Sequence, residues 1–335
     1  TLKTINEMTF EYFLPRNGII KNIHLNLIDK KENKTYTFRT YLQISENDWD
    51  KEKQRPKNIY LKKYKKLNVK LDLLKKELAE HIREKRLEKK QLHKRTLARE
   101  IKVVFNSQIS NLPENSFLYY MKWYIDIKKE LICYSTYKRY MVFFHLLERF
   151  EGFLCKRLYV EEMNFDFIKD FMIFCKDEEY SENTIYRTIH FVKTILNFAE
   201  RKGIRTCVRE LEIRREKQTR EIVTLAENEI AQIQQTKVPK ELQAAKDWLL
   251  ISCYTGQRFS DFMNFDKQQL QTVDGKICLS FVQQKTKKKV LLPVHPNVLQ
   301  TLERNGNVFP GLLDIQNYNN DIKEIARLAD LNVLV

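Results

Sequence analysis

The spacing of apolar residues changes along the chain, and this change limits the folds that the sequence can adopt. Within residues 8–42 apolar residues alternate with polar ones, as at Ile23 and Leu25, and a polar turn at residues 31–34 separates two such stretches. Residues 59–202 instead carry the spacing of amphipathic helices. A period of two predicts half-buried strands, whereas a period near 3.6 predicts helices. The sequence therefore predicts a small antiparallel sheet followed by a mainly helical chain.

The polar positions of the predicted sheet allow two interpretations. They could form an ordinary solvated face, or they could belong to a β-ribbon that lies in a DNA groove. The sequence does not favour one over the other, and Arg39 is the candidate DNA contact among these positions. The polar alternates are His24, Asn26, Thr35, Thr37 and Arg39.

A Lys-rich stretch follows the sheet and predicts one long amphipathic helix or two. Its apolar positions include Leu67, Leu71, Leu74 and Leu78. The charges around them are mixed in sign, which is typical of a solvated helix face. We expect residues 59–110 to form a basic helical linker that acts as a spacer.

A boundary at residues 111–113 precedes four predicted helices that end near Gly203. Ser116, Ser135 and Ser181 stand where N-cap residues of three of these helices would lie. The residues predicted to face the core of this helical domain are Phe117, Tyr120, Met121, Tyr124, Tyr140, Phe144, Leu147, Phe165, Ile168, Phe171, Met172, Ile185, Ile189, Val192 and Leu196.

Two polar and basic groups of the helical domain are candidate DNA contacts. Side chains of these types can bind phosphates and base edges, although a solvated helix face is the alternative. One group is on the fourth helix, and the other is at the start of the second helix. The candidates are Asn183, Arg187, His190 and Lys193, and Ser135, Tyr137 and Arg139.

Charge and composition exclude several classes of function. The chain has 60 Lys and Arg residues against 44 Asp and Glu residues, a net charge of +16, which favours a polyanionic partner. None of the seven glycines lies in a nucleotide-binding fingerprint. The six cysteines have no metal-site or disulfide spacing, and no apolar run is long enough to span a membrane. We expect a DNA-binding protein of the cytoplasm with no cofactor.

The last part of the chain carries the residues suited to chemistry. After a charged linker at residues 206–222, two predicted helices lead into Thr255-Gly256-Gln257-Arg258, and a third helix follows that Ser260 could cap. Gly256 supplies the turn, so Arg258 occupies a tight corner from which it could bind a phosphate. Residues 276–283 and 288–294 then predict a β-hairpin with a basic tip at residues 285–287.

Two of these segments resemble motifs of the tyrosine recombinases. TGQRFSDF at residues 255–262 resembles the first arginine box, and QQKTKKKVLLPV at residues 283–294 resembles the lysine hairpin. The pair is specific at this spacing, whereas either segment alone is weak. The order of small sheet, basic helices and four-helix domain is similar to the integrase branch, particularly to integrases of Bacteroides-type mobile elements.

The resemblance implies metal-free DNA strand cleavage and rejoining through a 3′-phosphotyrosyl link. Arg258 would stabilise the charged transition state, and Lys285 would donate a proton to the 5′-oxygen. Lys287 competes for that role because the sequence does not fix the register of the turn. If Lys285 is the acid, Lys287 is a candidate DNA contact. Asp261 matches an acidic position that orients the site, although an acidic residue in the first turn of a helix is an equally sound reading.

The chain also departs from the family pattern. No His-x-x-Arg box, second His or Trp, or nucleophilic tyrosine follows the hairpin, and residues 317–331 look like the helix before that box. Tyr318 precedes the expected box, so it is not predicted to be the nucleophile. We expect a truncated catalytic domain that binds DNA without cutting it.

These interpretations combine into a multidomain protein that is mainly α with small β-sheets. The predicted parts are a β-rich arm-binding domain (1–58), the linker (59–110), a helical SAM-like core-binding domain (111–205), a second linker (206–222) and a partial α+β catalytic domain (223–335). Family likeness implies double-stranded DNA with core and arm sites, a tetramer of the full-length protein and possible accessory DNA-bending proteins. The alternative is a non-catalytic, sequence-specific DNA-binding regulator derived from a recombinase. An RNA-binding or structural protein is least favoured because no corresponding motif or repeat occurs.

Overall fold

The computed structural model describes residues 8–15, 20–58, 61–106, 112–211 and 224–331. The chain divides into two compact units, Thr1–Glu216 and Lys217–Val335. Its fold class is the predicted one, mainly helical with small antiparallel sheets. Among the described residues, no helix has both the length and the apolar character needed to cross a bilayer.

The first unit begins with the predicted antiparallel sheet. Strands β1 (Met8–Phe13), β2 (Ile20–Asp29) and β3 (Lys34–Ser45) pair in the order β1-β2-β3. Alternate residues of each strand are buried, so the period of two creates one apolar face. A two-residue ribbon, β4 (Trp49–Asp50) with β5 (Arg55–Pro56), follows.

Two helices lie in the region that the sequence assigns to a spacer. They are α1 (Lys62–Leu87) and α2 (Lys94–Asn106). Leu71, Leu74 and Leu78 of α1 are fully buried in one core with Leu25 and Leu27 of the sheet. The spacer interpretation is therefore wrong for these helices: the sheet needs a partner for its apolar face, and α1 and α2 provide it.

The next four helices form the predicted helical domain. They are α3 (Phe117–Lys128), α4 (Tyr134–Leu154), α5 (Phe165–Asp177) and α6 (Glu182–Arg201). The hydroxyls of Ser116 and Ser181 cap α3 and α6 as predicted, each accepting from a backbone N–H at 3.3 Å. The cap assigned to Ser135 is wrong, because α4 begins at Tyr134 and Ser135 lies inside its first turn.

The helical domain has an aromatic core, and the sequence misplaces one member of it. Phe165 is 60% exposed, whereas Phe167, Phe171 and Phe174 are buried. At about 100° per residue, Phe165 lies roughly 150° around α5 from the centre of that buried stripe. The prediction that Phe165 faces inward is therefore wrong, and Phe167 takes that place.

Part of the predicted second linker packs onto the helical domain. Val208–Glu210 form a 3-10 turn, and Leu211 is 1% exposed against the helical core. Residues 212–223, which include most of the predicted linker and the predicted start of the last domain, lie outside the described residues. The domain boundaries remain predictions.

Helices α1 and α4 cross closely within the first unit. A Cβ atom placed on Gly152 of α4 would lie 2.3 Å from the Cβ of Asp72 on α1. Beside this crossing, the ammonium of Lys76 donates to the buried carboxylate of Glu151 at 2.8 Å. The helices can approach closely because Gly152 has no side chain. The buried charges beside the crossing are tolerated because they pair with each other.

The second unit joins helices to a three-stranded antiparallel sheet. Helices α7 (Glu227–Gln235), α8 (Lys240–Thr255) and α9 (Phe259–Phe262) come first. Strands β6 (Leu270–Val273), β7 (Lys276–Val282) and β8 (Lys289–Pro293) pair in chain order. Helices α10 (Pro296–Arg304) and α11 (Ile315–Leu328) follow, and Trp248 lies fully buried in the common core. The hairpin β7–β8 has the predicted place, while β6 was not predicted.

Candidate active site

Arg258 lies in the corner between α8 and α9. Gly256 ends α8 with a φ of 62°, and its N–H donates to the Ser252 carbonyl at 2.9 Å. Arg258 is the N-cap of α9, and its carbonyl accepts from the N–H groups of Asp261 and Phe262. Ser260 lies within α9, so the prediction that it caps this helix is wrong. The backbone is fixed on both sides of Arg258, while its side chain is 51% exposed and open to a ligand.

Asp261 connects this corner to the hairpin. Its carboxylate is buried, with one oxygen 3.7 Å from a guanidinium nitrogen of Arg258. The other oxygen accepts a hydrogen bond from the backbone N–H of Gln284 at 2.7 Å. Gln284 immediately precedes Lys285, so a single carboxylate links the arginine corner to the lysine turn.

The turn of the hairpin has a defined register. The Gln283 N–H donates to the Lys288 carbonyl, and the Lys287 N–H donates to the Gln283 carbonyl, both at 2.9 Å. Residues 284–287 thus form a four-residue turn in which Lys285 is second, and Lys287 is fourth with a left-handed φ of 57°. Both lysines are exposed. Lys285, and not Lys287, directly follows Gln284, whose N–H donates to Asp261.

Tyr318 is built into the core of the second unit. It lies on α11, is 5% exposed, and packs against the rings of Phe259 and Phe262 at 5.3 and 5.8 Å between centroids. Burial raises the pKa of its hydroxyl to about 12. A buried phenol that resists ionisation is a poor nucleophile, and the exclusion of Tyr318 as the nucleophile stays a prediction.

The candidate DNA contacts of the helical domain lie on two neighbouring helices. On α6, Arg187 and His190 are exposed, and Asn183 and Lys193 are partly exposed. The rings of Tyr140 on α4 and Phe191 on α6 stack with centroids 4.2 Å apart. His190 and Arg139, each adjacent in sequence to one of these rings, therefore lie on neighbouring parts of the domain.

The start of α4 carries the second predicted group. Ser135 and Arg139 are exposed, and Tyr137 is partly exposed. Sequence reasoning missed two further side chains: Tyr134 stacks on Tyr137, and the ammonium of Lys138 lies 4.5 Å from the centre of the Tyr134 ring. The sequence CYSTYKRY contained the signal, because exposed aromatic and basic residues at helical spacing suit nucleic-acid contact.

Arg39 belongs to a different surface. It is exposed on β3, on the face opposite the buried Phe38 and Thr40. Asn26 and Thr37 on that polar face are hydrogen-bonded to each other at 2.7 Å. The structure brings Arg258, Asp261 and Lys285 together in one unit with the candidate DNA contact Lys287, and it places the other candidate DNA contacts in the other unit.

The described residues hold no group of three His, Cys, Asp or Glu side chains placed to bind a metal ion. The six cysteines are free thiols, with Cys175 and Cys278 buried and Cys133 exposed. Cys133 is therefore open to solvent, unlike Cys175 and Cys278. Hydrogen bonds from Ser135 and Thr136 lower the pKa of its thiol to about 7.

Comparison with known families identifies the helical domain. Residues 116–206 match the family described as phage integrase SAM-like domain. No curated protein gives a significant sequence match to the chain.

One solved integrase structure aligns with nearly all of this chain, and two others align with parts of it. A lambda integrase tetramer bound to a Holliday junction aligns with 96% of this chain and 85% of its own, at 15% identity and a TM-score of 0.51. The Tn1549 transposon integrase in complex with a circular intermediate DNA covers 56% of this chain and 64% of its own, at 16% identity and a TM-score of 0.47. The XerH site-specific recombinase bound to difH covers 79% and 81%, at 11% identity and a TM-score of 0.45. The integrase fold inferred from the two motifs is confirmed, while the Bacteroides branch remains a prediction.

Proposed function

We propose that this integrase-like chain belongs to a site-specific DNA recombinase of a mobile genetic element, which breaks and rejoins DNA through a 3′-phosphotyrosyl intermediate. One observation carries the proposal: the buried carboxylate of Asp261 contacts both Arg258 and the backbone beside Lys285. The cation Arg258 and the proposed proton donor Lys285 are thereby anchored to the same buried carboxylate. The SAM-like domain and the integrase fold support the same reaction class.

Arg258 would bind the non-bridging oxygens of the scissile phosphate. Its guanidinium can offer two parallel N–H groups, and the negative charge of a phosphoryl-transfer transition state is spread over those oxygens. Asp261 orients the guanidinium from its buried side, which leaves the exposed side free for DNA. The site needs no metal ion for this step.

Lys285 would act as the acid for the leaving group. The tyrosine oxygen forms a bond to phosphorus, the phenol loses its proton to solvent water, and the bond from phosphorus to the 5′-oxygen breaks. The 5′-oxygen takes its proton from Lys285. The reverse reaction joins a 5′-hydroxyl of another strand and releases the tyrosine. Lys285 is preferred to Lys287 because it adjoins the anchored Gln284.

The attacking tyrosine is not Tyr318, which is buried in the core. No residue among these 335 is proposed as the nucleophile, so the chain by itself would bind DNA without cleaving it. Cleavage experiments therefore require the full-length gene product.

The proposed partner is double-stranded DNA in the cytoplasm. The exposed groups on α4 and α6 would contact a core site, and the polar face with Arg39 would contact an arm site. Lambda integrase has been solved as a tetramer bound to a Holliday junction, and we propose the same assembly for the full-length protein. Accessory DNA-bending proteins would be optional partners.

Replacement of Arg258 tests the proposed chemistry. In the full-length protein, Arg258→Ala should slow strand cleavage by at least about 100-fold, because a preorganised cation at the developing charge is lost. DNA affinity should stay close to that of the wild type. The measurements are covalent-adduct formation and a gel-shift titration with the same duplex.

Arg327→Ala is the matched control, because Arg327 is an exposed arginine of the same unit that pairs only locally with Glu324. Equal loss of binding and cleavage in Arg258→Ala would contradict the catalytic assignment. A wild-type protein that binds DNA tightly and never forms an adduct would favour the non-catalytic regulator.

A further inference from the structure

A chain of side-chain hydrogen bonds runs from the end of α8 to the tip of the hairpin. The side-chain amide of Gln257 donates to the carbonyl of Thr255 at 3.1 Å. Its oxygen accepts from the side-chain amide of Gln283 at 3.0 Å. The oxygen of Gln283 in turn accepts from the hydroxyl of Thr286 at 2.6 Å.

The three hydrogen bonds of this series all donate in the same direction. Each amide donates through its nitrogen and accepts through its oxygen, so neither Gln257 nor Gln283 has to satisfy two conflicting partners. The link between the two glutamines is partly buried. Hydrogen bonds in series polarise one another and are stronger where solvent is partly excluded.

The hydrogen-bond series and Asp261 together fix the two residues on either side of Lys285. Asp261 holds Gln284 on one side through its backbone N–H. Gln283 holds Thr286 on the other side through its hydroxyl. Lys285 itself makes no side-chain hydrogen bond or ion pair with the rest of the described chain. Its backbone is therefore fixed on both sides while its ammonium stays available.

We propose that Gln257, Gln283 and Thr286 are positioning residues that fix the lysine turn against the arginine corner, so that Lys285 reaches the leaving 5′-oxygen. This inference rests on the proposed recombinase reaction and adds three residues to its machinery. None of the three touches the reacting atoms. Their effect is to keep a flexible lysine side chain on a fixed backbone, and a misplaced acid loses much of its rate advantage.

Substitution of the central residue gives the main test. In the full-length protein, Gln283→Leu keeps the size of the side chain and removes both of its links. Cleavage of an ordinary phosphodiester should fall by roughly tenfold or more, since the acid is no longer well placed. Cleavage of a substrate whose 5′-oxygen is replaced by sulfur, a leaving group that needs no acid, should fall by less than about threefold.

Two further comparisons separate positioning from general damage to the fold. Thr286→Val should slow ordinary cleavage, whereas Thr286→Ser, which keeps the hydroxyl, should restore it. Gln271→Leu makes the same substitution as Gln283→Leu at an exposed position of β6 in the same sheet and should leave both substrates unaffected. Equal loss on both substrates, or equal rates for Thr286→Val and Thr286→Ser, would overturn the proposal.

Hydrogen exchange tests the fixed turn without any cleavage. In the 335-residue chain, Gln283→Leu should speed exchange at the Gln284 and Lys287 amides, because the turn opens more often. Unchanged exchange would reject the positioning role. A wild-type protein that forms no adduct would reject the recombinase reaction, while the exchange result would still report on the turn itself.

Discussion

At the scale of single residues, burial distinguishes the roles of the charged groups in the second unit. Arg258 is half exposed, whereas Asp261 is buried beside it. The sequence predicted Arg258, because a left-handed glycine two positions earlier defines a corner. It left the role of Asp261 open, because the contact with Gln284 spans 23 residues and only the fold shows it.

Two substitutions of Asp261 should separate its structural role from its electrostatic role. Asp261→Ala removes the charged acceptor of the partly buried Gln284 N–H hydrogen bond and should lower the free energy of unfolding of the second unit by about 1–3 kcal/mol. Asp261→Asn can still accept that hydrogen bond and should cost less, while cleavage falls in both variants because the charge that orients Arg258 is lost. Urea denaturation measures the first effect, with Asp321→Ala on α11 as the control. Equal stability of Asp261→Ala and the wild type would contradict the role of Asp261 as an anchor.

At the scale of helices and strands, the sequence predicted features that depend on neighbouring residues, but it did not predict the exact ends and faces of the helices. The caps at Ser116 and Ser181 followed from residue type and position, because an N-cap hydrogen bond spans only three residues. Ser135 and Phe165 were misplaced because a shift of one or two residues in a helix changes which face a side chain takes. The packing of α1 on the sheet could not be predicted, since it depends on contacts between distant segments.

Substitution of Gly152 tests the close crossing of α1 and α4. Gly152→Ala places a methyl group within 2.3 Å of the Asp72 side chain, so the two helices must separate. Overpacking of this kind costs about 1–3 kcal/mol, which should exceed the gain of roughly 1 kcal/mol in helix propensity. Thermal unfolding of the first unit should show a lower Tm. A Gly152→Ala protein whose first unit unfolds at the wild-type Tm would exclude the close crossing.

At the scale of the whole molecule, the net positive charge and the exposed basic groups on α4 and α6 both favour a polyanionic partner. The net charge of +16 predicted such a partner from composition alone. It could not show that α4 and α6 are neighbours, which required the aromatic stack between Tyr140 and Phe191. The sequence thus predicted the fold class and proposed the catalytic candidates, while the grouping of the candidate DNA-contact residues came from packing.

Substitution of a single cation on α6 tests this surface. Arg187→Gln should weaken DNA binding and reduce the slope of log affinity against log salt by about 1, because one phosphate contact is lost. Lys169→Gln removes another exposed cation, on α5, and should change neither quantity. Fluorescence anisotropy over a range of salt concentrations measures both. Equal effects of the two substitutions would mean that charge alone, and not the α6 face, governs binding.

Covalent trapping tests the central claim most directly. The full-length protein is incubated with a nicked duplex that carries the end of its own element, and the denatured mixture is then examined for protein attached to DNA. We predict a covalent adduct with the wild type and almost none with Arg258→Ala. The absence of any adduct under conditions where the duplex is bound tightly would contradict the recombinase assignment.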